Sequence, residues 1–167
     1  MTTAANPSSL TSWIQSGFTT LYSFDTTASQ FQSSFDGLFS ADAKIRVNHQ
    51  LVSSESFQTD VKDRDAAAID SSIVWKEIIE VPASESQAGT EIVAGWFVVT
   101  RYLKFLILDA PAETIETIAF SAKVAQDPSV KSGDKKRIVE LFQTVSDQAA
   151  PIHLPGIGGT SITATAA

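Results

Sequence analysis

One stretch constrains the fold more than any other: Glu91 to Ile107, a long run rich in β-branched and aromatic residues. Read as a strand, its first half is apolar on both sides. Ile92, Ala94, Trp96 and Val98 fall on one face, and Val93, Gly95, Phe97 and Val99 on the other. An antiparallel strand with one face in water shows a polar side instead. Something must therefore cover both faces. Helices of the same chain can take one. A second copy is the expected cover for the other, so the sequence predicts a homodimer through the sheet face.

The rest of the chain supplies the helices and the neighbouring strands. Ser8 or Ser9 can cap a first helix, on which Leu10, Trp13, Ile14, Gly17 or Phe18, and Leu21 recur at helical spacing. Asp25, Thr26 or Thr27 can cap a second, with Ala28, Phe31, Phe35 and Leu38 on one side and Gly37 near its end. Ala43 to Asn48 alternates as a half-buried strand does, and Leu51-Val52 can pair back on it. Ser53 then reads as the cap of a third helix. Glu55 lies in its first turn, Val52 and Phe57 at hydrophobic-staple positions, and Phe57 and Val61 on its buried side. Ser72 to Val81, Glu91 to Ile107, Thr114 to Ala125 and Arg137 to Val145 read as four strands with hairpin-length connections, an antiparallel meander. Residues 1–7 read as an N-terminal tail and 8–147 as one domain. Residues 148–167 read as a low-complexity C-terminal tail, for which a frayed terminus is the simpler reading and, as the sharper one, Ile152, Leu154 and Ile157 are apolar knobs able to lie across a partner subunit or close a pocket mouth.

Composition removes several function classes. A chain of 167 residues is long enough for one domain with a real core. A formal charge of -7 argues against non-specific binding to a phosphate backbone, which relies on clustered Lys and Arg. The one basic cluster, Lys135-Lys136-Arg137, is flanked by Asp127 and Asp134 and reads as a solvated hairpin tip. With no cysteine there is no disulfide, thiolate metal site or cysteine nucleophile. The N-terminus lacks the basic and apolar regions of a signal peptide. The longest apolar run, around Ile92 to Leu108, is broken by Thr100, Arg101 and Lys104. The expectation is a cytoplasmic protein with neither nucleic acid nor membrane as partner.

Helix, helix, strand, short strand, helix and a four-strand meander is an order that resembles the NTF2-like (SnoaL-like) superfamily. The segment Leu38-Phe39-Ser40-Ala41-Asp42-Ala43-Lys44-Ile45-Arg46-Val47-Asn48 is similar to that family's passage from helix to first strand. The resemblance covers about residues 8 to 147 and implies an α+β cone. In it three N-terminal helices pack on a strongly curved, mainly antiparallel sheet, short first strands preceding the meander. It also implies a conical cavity inside the sheet and dimers through its other face.

The same resemblance implies proton transfer next to a carbonyl as one chemistry, since the family includes ketosteroid isomerases, scytalone-type dehydratases and polyketide cyclases. The isomerases carry a base Asp near the end of the first strand. Here Asn48 stands there, and an amide is no base at neutral pH. His49 comes next and could substitute as the base, because histidine as a residue type is suited to that work, although a turn histidine is more often solvated. Glu77 alternates with Trp75 and Ile79. It becomes a carboxylate in apolar surroundings if that face points inward, or a strand charge paired with Arg101 or Lys104 if it points out. Asp25 lies at a helix end but is fully explained as a cap. Tyr102 completes the catalytic candidates as an acid. His49 and His153 have no metal-ligand spacing, so neither a metal nor any other cofactor is expected.

Trp13, Tyr22, Phe35, Trp75, Trp96 and Tyr102 are candidate walls of an apolar pocket suited to a flat or ring-containing molecule. The sequence thus favours a protein that binds a small hydrophobic molecule. A cyclase, dehydratase or isomerase is the alternative, and a protein-interaction module the second alternative.

Overall fold

A computed structural model describes residues 9–83, 90–107, 110–131 and 133–149. The N-terminal tail 1–7 and residues 150–167 of the C-terminal tail lie outside them.

Each helix starts where a side-chain oxygen meets the free backbone N–H groups of its first turn. The first, α1 (Leu10–Tyr22), is capped by Ser9, whose hydroxyl accepts from the Ser12 N–H. Of the three possible caps of α2 (Ala28–Leu38), Thr27 is the one used, and Gln30 reaches back to complete a capping box. Strand β1 (Phe39–Val47) comes next with no loop. It begins four residues before the alternation that reveals it in sequence, because Phe39 pairs with Ile138 across an irregularity that ends at Lys44. Strand β2 (Gln50–Val52) pairs back on β1. Helix α3 (Ser54–Asp65) is capped by Ser53 and carries Glu55 in its first turn and Lys62 and Arg64 in its last, complementing its dipole at both ends.

Four long strands complete the chain: β3 (Ala68–Val81), β4 (Thr90–Ile107), β5 (Ala110–Gln126) and β6 (Lys136–Ala149). The sheet order is β2-β1-β6-β5-β4-β3. Neighbours in the meander are antiparallel, whereas β1 runs parallel to β6. The last strand thus lies between the first strand and the meander. It also runs further than its apolar alternation shows, with Gln148 and Ala149 pairing to Ile115 and Thr114.

The helices cover one face of the curved sheet. The core lies between them and Val93, Phe97 and Val99 of β4, Ile118, Phe120, Ala122 and Val124 of β5, and Ile138 and Leu141 of β6. Helix α1 is also tied to edge strand β3. Glu80 accepts from the Thr11 N–H and hydroxyl at 3.3 and 3.1 Å, and the Trp75 indole donates to Thr19 Oγ1 at 3.1 Å.

A bulge in β3 sets its facing. Trp75 pairs with Phe97, yet Glu77 pairs with the adjacent Trp96, leaving Lys76 as the extra residue. Trp75 consequently lies on the helix side, 4.6 Å from the Phe97 ring, while Glu77 and Ile79 are exposed on the other. Gly95 pairs with Ile78, just beyond the bulge. A Cβ there would lie 3.1 Å from Ile78 Cα and inside van der Waals distance of the Glu77 carbonyl oxygen. Only a residue without one lets the strands approach so closely.

Candidate functional site

The interior of the cone begins as an aromatic cluster. Phe18 of α1 meets Phe120 at 5.0 Å and Phe97 at 6.1 Å, and Tyr22 meets Phe97 at 5.4 Å. All four are buried, so these rings fill one another's contact surfaces.

Towards the C-terminal end of α3 the interior turns polar. Arg101 of β4 and Glu116 of β5 are only 3% and 2% exposed and form an ion pair. Arg101 Nε also donates to Asp65 at 2.6 Å, and Arg64 bridges Glu116, Asp60 and Asp147. Both Glu116 oxygens are thereby held by guanidinium groups. Burial raises the Glu116 carboxyl above its ordinary value, more than Arg101 and Arg64 lower it, and it raises Asp65 against the pull of Arg101. Burial opposes the Arg101 charge, but Asp65 and Glu116 outweigh it and raise that pKa too. Beside this network, Tyr22 donates to Gln143 Oε1 at 3.2 Å. Burial, with Glu116 adding to it, pushes the Tyr22 phenol well up, so it stays protonated. Two buried donors, Arg101 Nη2 and Gln143 Nε2, have no partner among the described residues.

The opposite side of the sheet is different in kind. Trp96, 39% exposed, stands near the middle of the meander among the small residues Ala94, Ala119, Ser121 and Thr144. Val74, Ile79 and Val81 on β3 and Phe142 on β6 are exposed on the same side. Its far margin is charged: Arg46 lies over the Phe142 ring and 3.6 Å from Glu140.

The sequence-derived candidates divide among these regions. Tyr22 and Trp75 lie inside the cone, with Trp13 half-buried against the same core. Trp96 and Tyr102 alternate with the inward residues and lie on the outer face, so they share no wall with Trp75. Phe35 stacks on Phe39 at 4.5 Å, and both floor an external cleft of about 410 Å³ that Asp36, Ser54, Gln58 and Arg137 also line. Asp25 is exposed and accepts from the Ser23 hydroxyl at 2.8 Å; the capping is done by Thr27. Glu77 is exposed opposite Trp96, and the pairing considered for it with Arg101 is replaced by inward bonds of Arg101 to Asp65 and Glu116. Lys104 instead donates to the Ala66 carbonyl at 3.0 Å.

Asn48 and His49 form the two-residue turn between β1 and β2, with φ of 49° and 67°. Such left-handed pairs suit a tight hairpin and favour Asn at the first position. Asn48 also clasps β6. Its side chain donates to the Val145 carbonyl at 3.1 Å and accepts from the Val145 N–H at 2.8 Å, while its own N–H donates to the Gln143 carbonyl at 2.8 Å. An Asp could not make the first of these bonds. His49 is exposed, and no group of three or more His, Cys, Asp or Glu among the described residues could hold a metal ion.

The buried ion network escaped the sequence reading. Its signal was present nonetheless: Arg101 falls in phase with Val93, Phe97 and Val99, and Glu116 with Ile118, Phe120 and Ala122. Opposite charges on the inward stripes of adjacent strands point to an internal pair.

No family model and no curated protein matches the chain. Solved structures do. A candidate scytalone dehydratase from Novosphingobium aromaticivorans is 8% identical with a TM-score of 0.59, covering 92% of this chain and 93% of that one. The hub of CaMKII from S. rosetta is 14% identical with a TM-score of 0.54, covering 86% and 99%. A protein from Pseudomonas aeruginosa described as NTF-2 like is 9% identical with a TM-score of 0.52, covering 80% and 94%. The fold is NTF2-like. At these identities the likeness extends to the fold alone, and one such fold is described as a dehydratase and another as a hub. No helix among the described residues is long and apolar enough to cross a membrane.

Proposed function

We propose that this chain is an assembly module, a homodimer joined through the outer face of its sheet. The observation that carries this reading is the exposed apolar side of the meander centred on Trp96, with Val74, Ile79, Val81 and Phe142 around it. Exposed apolar surface of this kind, interrupted here by Glu77 opposite Trp96, marks interaction sites. The small residues beside Trp96 leave the face flat enough for a two-fold copy of itself. A chain of like fold is described as the hub of CaMKII, which fits a role of this kind. The closed ring packing of Phe18, Tyr22, Phe97 and Phe120 is consistent with an interior that serves as structural core.

A second reading keeps the small hydrophobic molecule inside the cone. It is supported by the two unpaired donors, Arg101 Nη2 and Gln143 Nε2, which border the aromatic cluster and could receive a carbonyl or hydroxyl oxygen. For the proton-transfer alternative, Glu116 has both oxygens engaged and makes a poor base.

Native mass spectrometry tests both readings. The expected result is a mass near twice 17.9 kDa, reverting to the monomer in Trp96→Glu. Trp96 has roughly 80 Å² to bury, from its 39% exposure and a ring of ~200 Å². At ~25 cal/mol per Å², counted once per subunit, its loss costs about 4 kcal/mol, a weakening of roughly a thousandfold. A wild-type monomer at micromolar concentration refutes the dimer. A small molecule retained by the native protein moves the weight to the second reading.

A further inference from the structure

A second apolar patch lies apart from the outer-face centre, at the end of the cone where the polar network sits. Phe105 and Leu106, at the far end of β4, are 56% and 62% exposed, with Ile107 beside them and Ile69 at the start of β3 also uncovered. Strand β6 ends at this same end. Ala149 pairs with Thr114, only three residues along β5 from Pro111, which pairs with Leu106. The chain leaves the sheet about 14 Å from Leu106, three residues along the strands at ~3.3 Å each and two strand spacings of ~4.8 Å across them.

The segment beyond Ala149 has matching chemistry. Residues 150–167 contain no Asp, Glu, Lys or Arg, although 19% of the whole chain is charged. Ile152, Leu154 and Ile157 come first, spaced by Pro151, Pro155 and Gly156. Extended, residues 150–157 reach about 26 Å, well past Leu106. The segment itself brings no charged side chain to be desolvated on docking. Being tethered, it meets the patch at an effective concentration that a separate molecule does not reach.

We infer that the segment Pro151–Ile157 folds back within its own chain onto the apolar rim formed by Ile69, Phe105, Leu106 and Ile107. The tail is then an internal cover for the end of the β4–β5 hairpin. The reading is independent of the outer-face dimer.

The chain has no cysteine, so introduced pairs report cleanly. Leu106→Cys is combined in turn with Ile152→Cys, Leu154→Cys and Ile157→Cys, and each tail variant is also combined with Asp63→Cys, an exposed site on α3 apart from both the rim and the outer face. Under mild oxidation the expected result is a disulfide within one chain that forms at least tenfold faster with Leu106→Cys than with Asp63→Cys, for at least one tail position. Both rim and control positions are exposed, so the variants keep the core intact. Equal rates at all three tail positions overturn the inference. A bond that joins two chains, read as a doubled mass on a non-reducing gel, also overturns it and assigns the tail to a second copy.

Discussion

A single methyl group at position 95 tests the constraint that the β3 bulge places on β4. In Gly95→Ala the new Cβ would lie 3.1 Å from Ile78 Cα and closer still to the Glu77 carbonyl oxygen. These are backbone atoms of a paired strand, so no side-chain rotation relieves the clash. The strands must separate by several tenths of an ångström across Glu77–Trp96 and Ile78–Gly95. Overpacking of this sort costs about 1–3 kcal/mol. Alanine's ordinary advantage over glycine in a strand, roughly 0.5–1 kcal/mol, offsets part of that. The net expectation is a loss of about 1–2 kcal/mol, or roughly 2–8 °C in Tm for a chain of this size. Gly37→Ala is the matched control. Its Cβ meets nothing within 4 Å in helix α2, so it should stabilise by roughly 0.5–1 kcal/mol. Urea unfolding followed by tryptophan fluorescence measures both. If Gly95→Ala is neutral or stabilising, the bulge does not constrain β4.

Asn48→Asp should destabilise by about 1 kcal/mol in the same assay, since it loses the donor to the Val145 carbonyl and sets a carboxylate against that oxygen; an unchanged midpoint would refute the clasp. Glu116→Gln removes one side of a buried ion pair, a change that costs about 3–5 kcal/mol, with Asp65 keeping Arg101 partly compensated and the loss near the lower figure. Its pH dependence has a definite sign. Because the folded Glu116 pKa is raised, the native state holds more protons between the unfolded and folded values, so wild-type stability falls as pH rises through that window. The Gln variant should lose Glu116's share of that slope and keep only the part due to Asp65, whose pKa burial also raises, and denaturation midpoints across the acid range would show whether it does.

How much was legible depends on the range of each interaction. Helix caps act over three residues, and Ser9, Thr27 and Ser53 stand where the sequence allowed them. The doubly apolar β4 likewise revealed a strand with an inner and an outer face to cover. The bulge at Lys76 left no such mark, because it depends on Gly95 in another strand, and it undid the alternation that grouped Glu77 with Trp75. The six aromatic candidates were chosen by type, and strand parity then sent Trp96 and Tyr102 outward while Tyr22 and Trp75 stayed inside. The ion network joins residues of α3 to three strands, contacts that no local periodicity records.

The place of β6 in the sheet sets an order of events during synthesis. Strand β1 has no neighbour but the three-residue β2 until β6 arrives, and the clasp of Asn48 on Val145 spans 97 residues. At ~5–20 residues per second, a ribosome needs about 5–20 s to make that interval. Meanwhile β3, β4 and β5 can already pair through their hairpins. The newborn chain therefore holds a three-strand sheet with an open edge on β5 before its first strand can join. The residues that close that edge leave the ribosome only after all of β5, and a chain stalled before them displays the Trp96 face and an unpaired strand together.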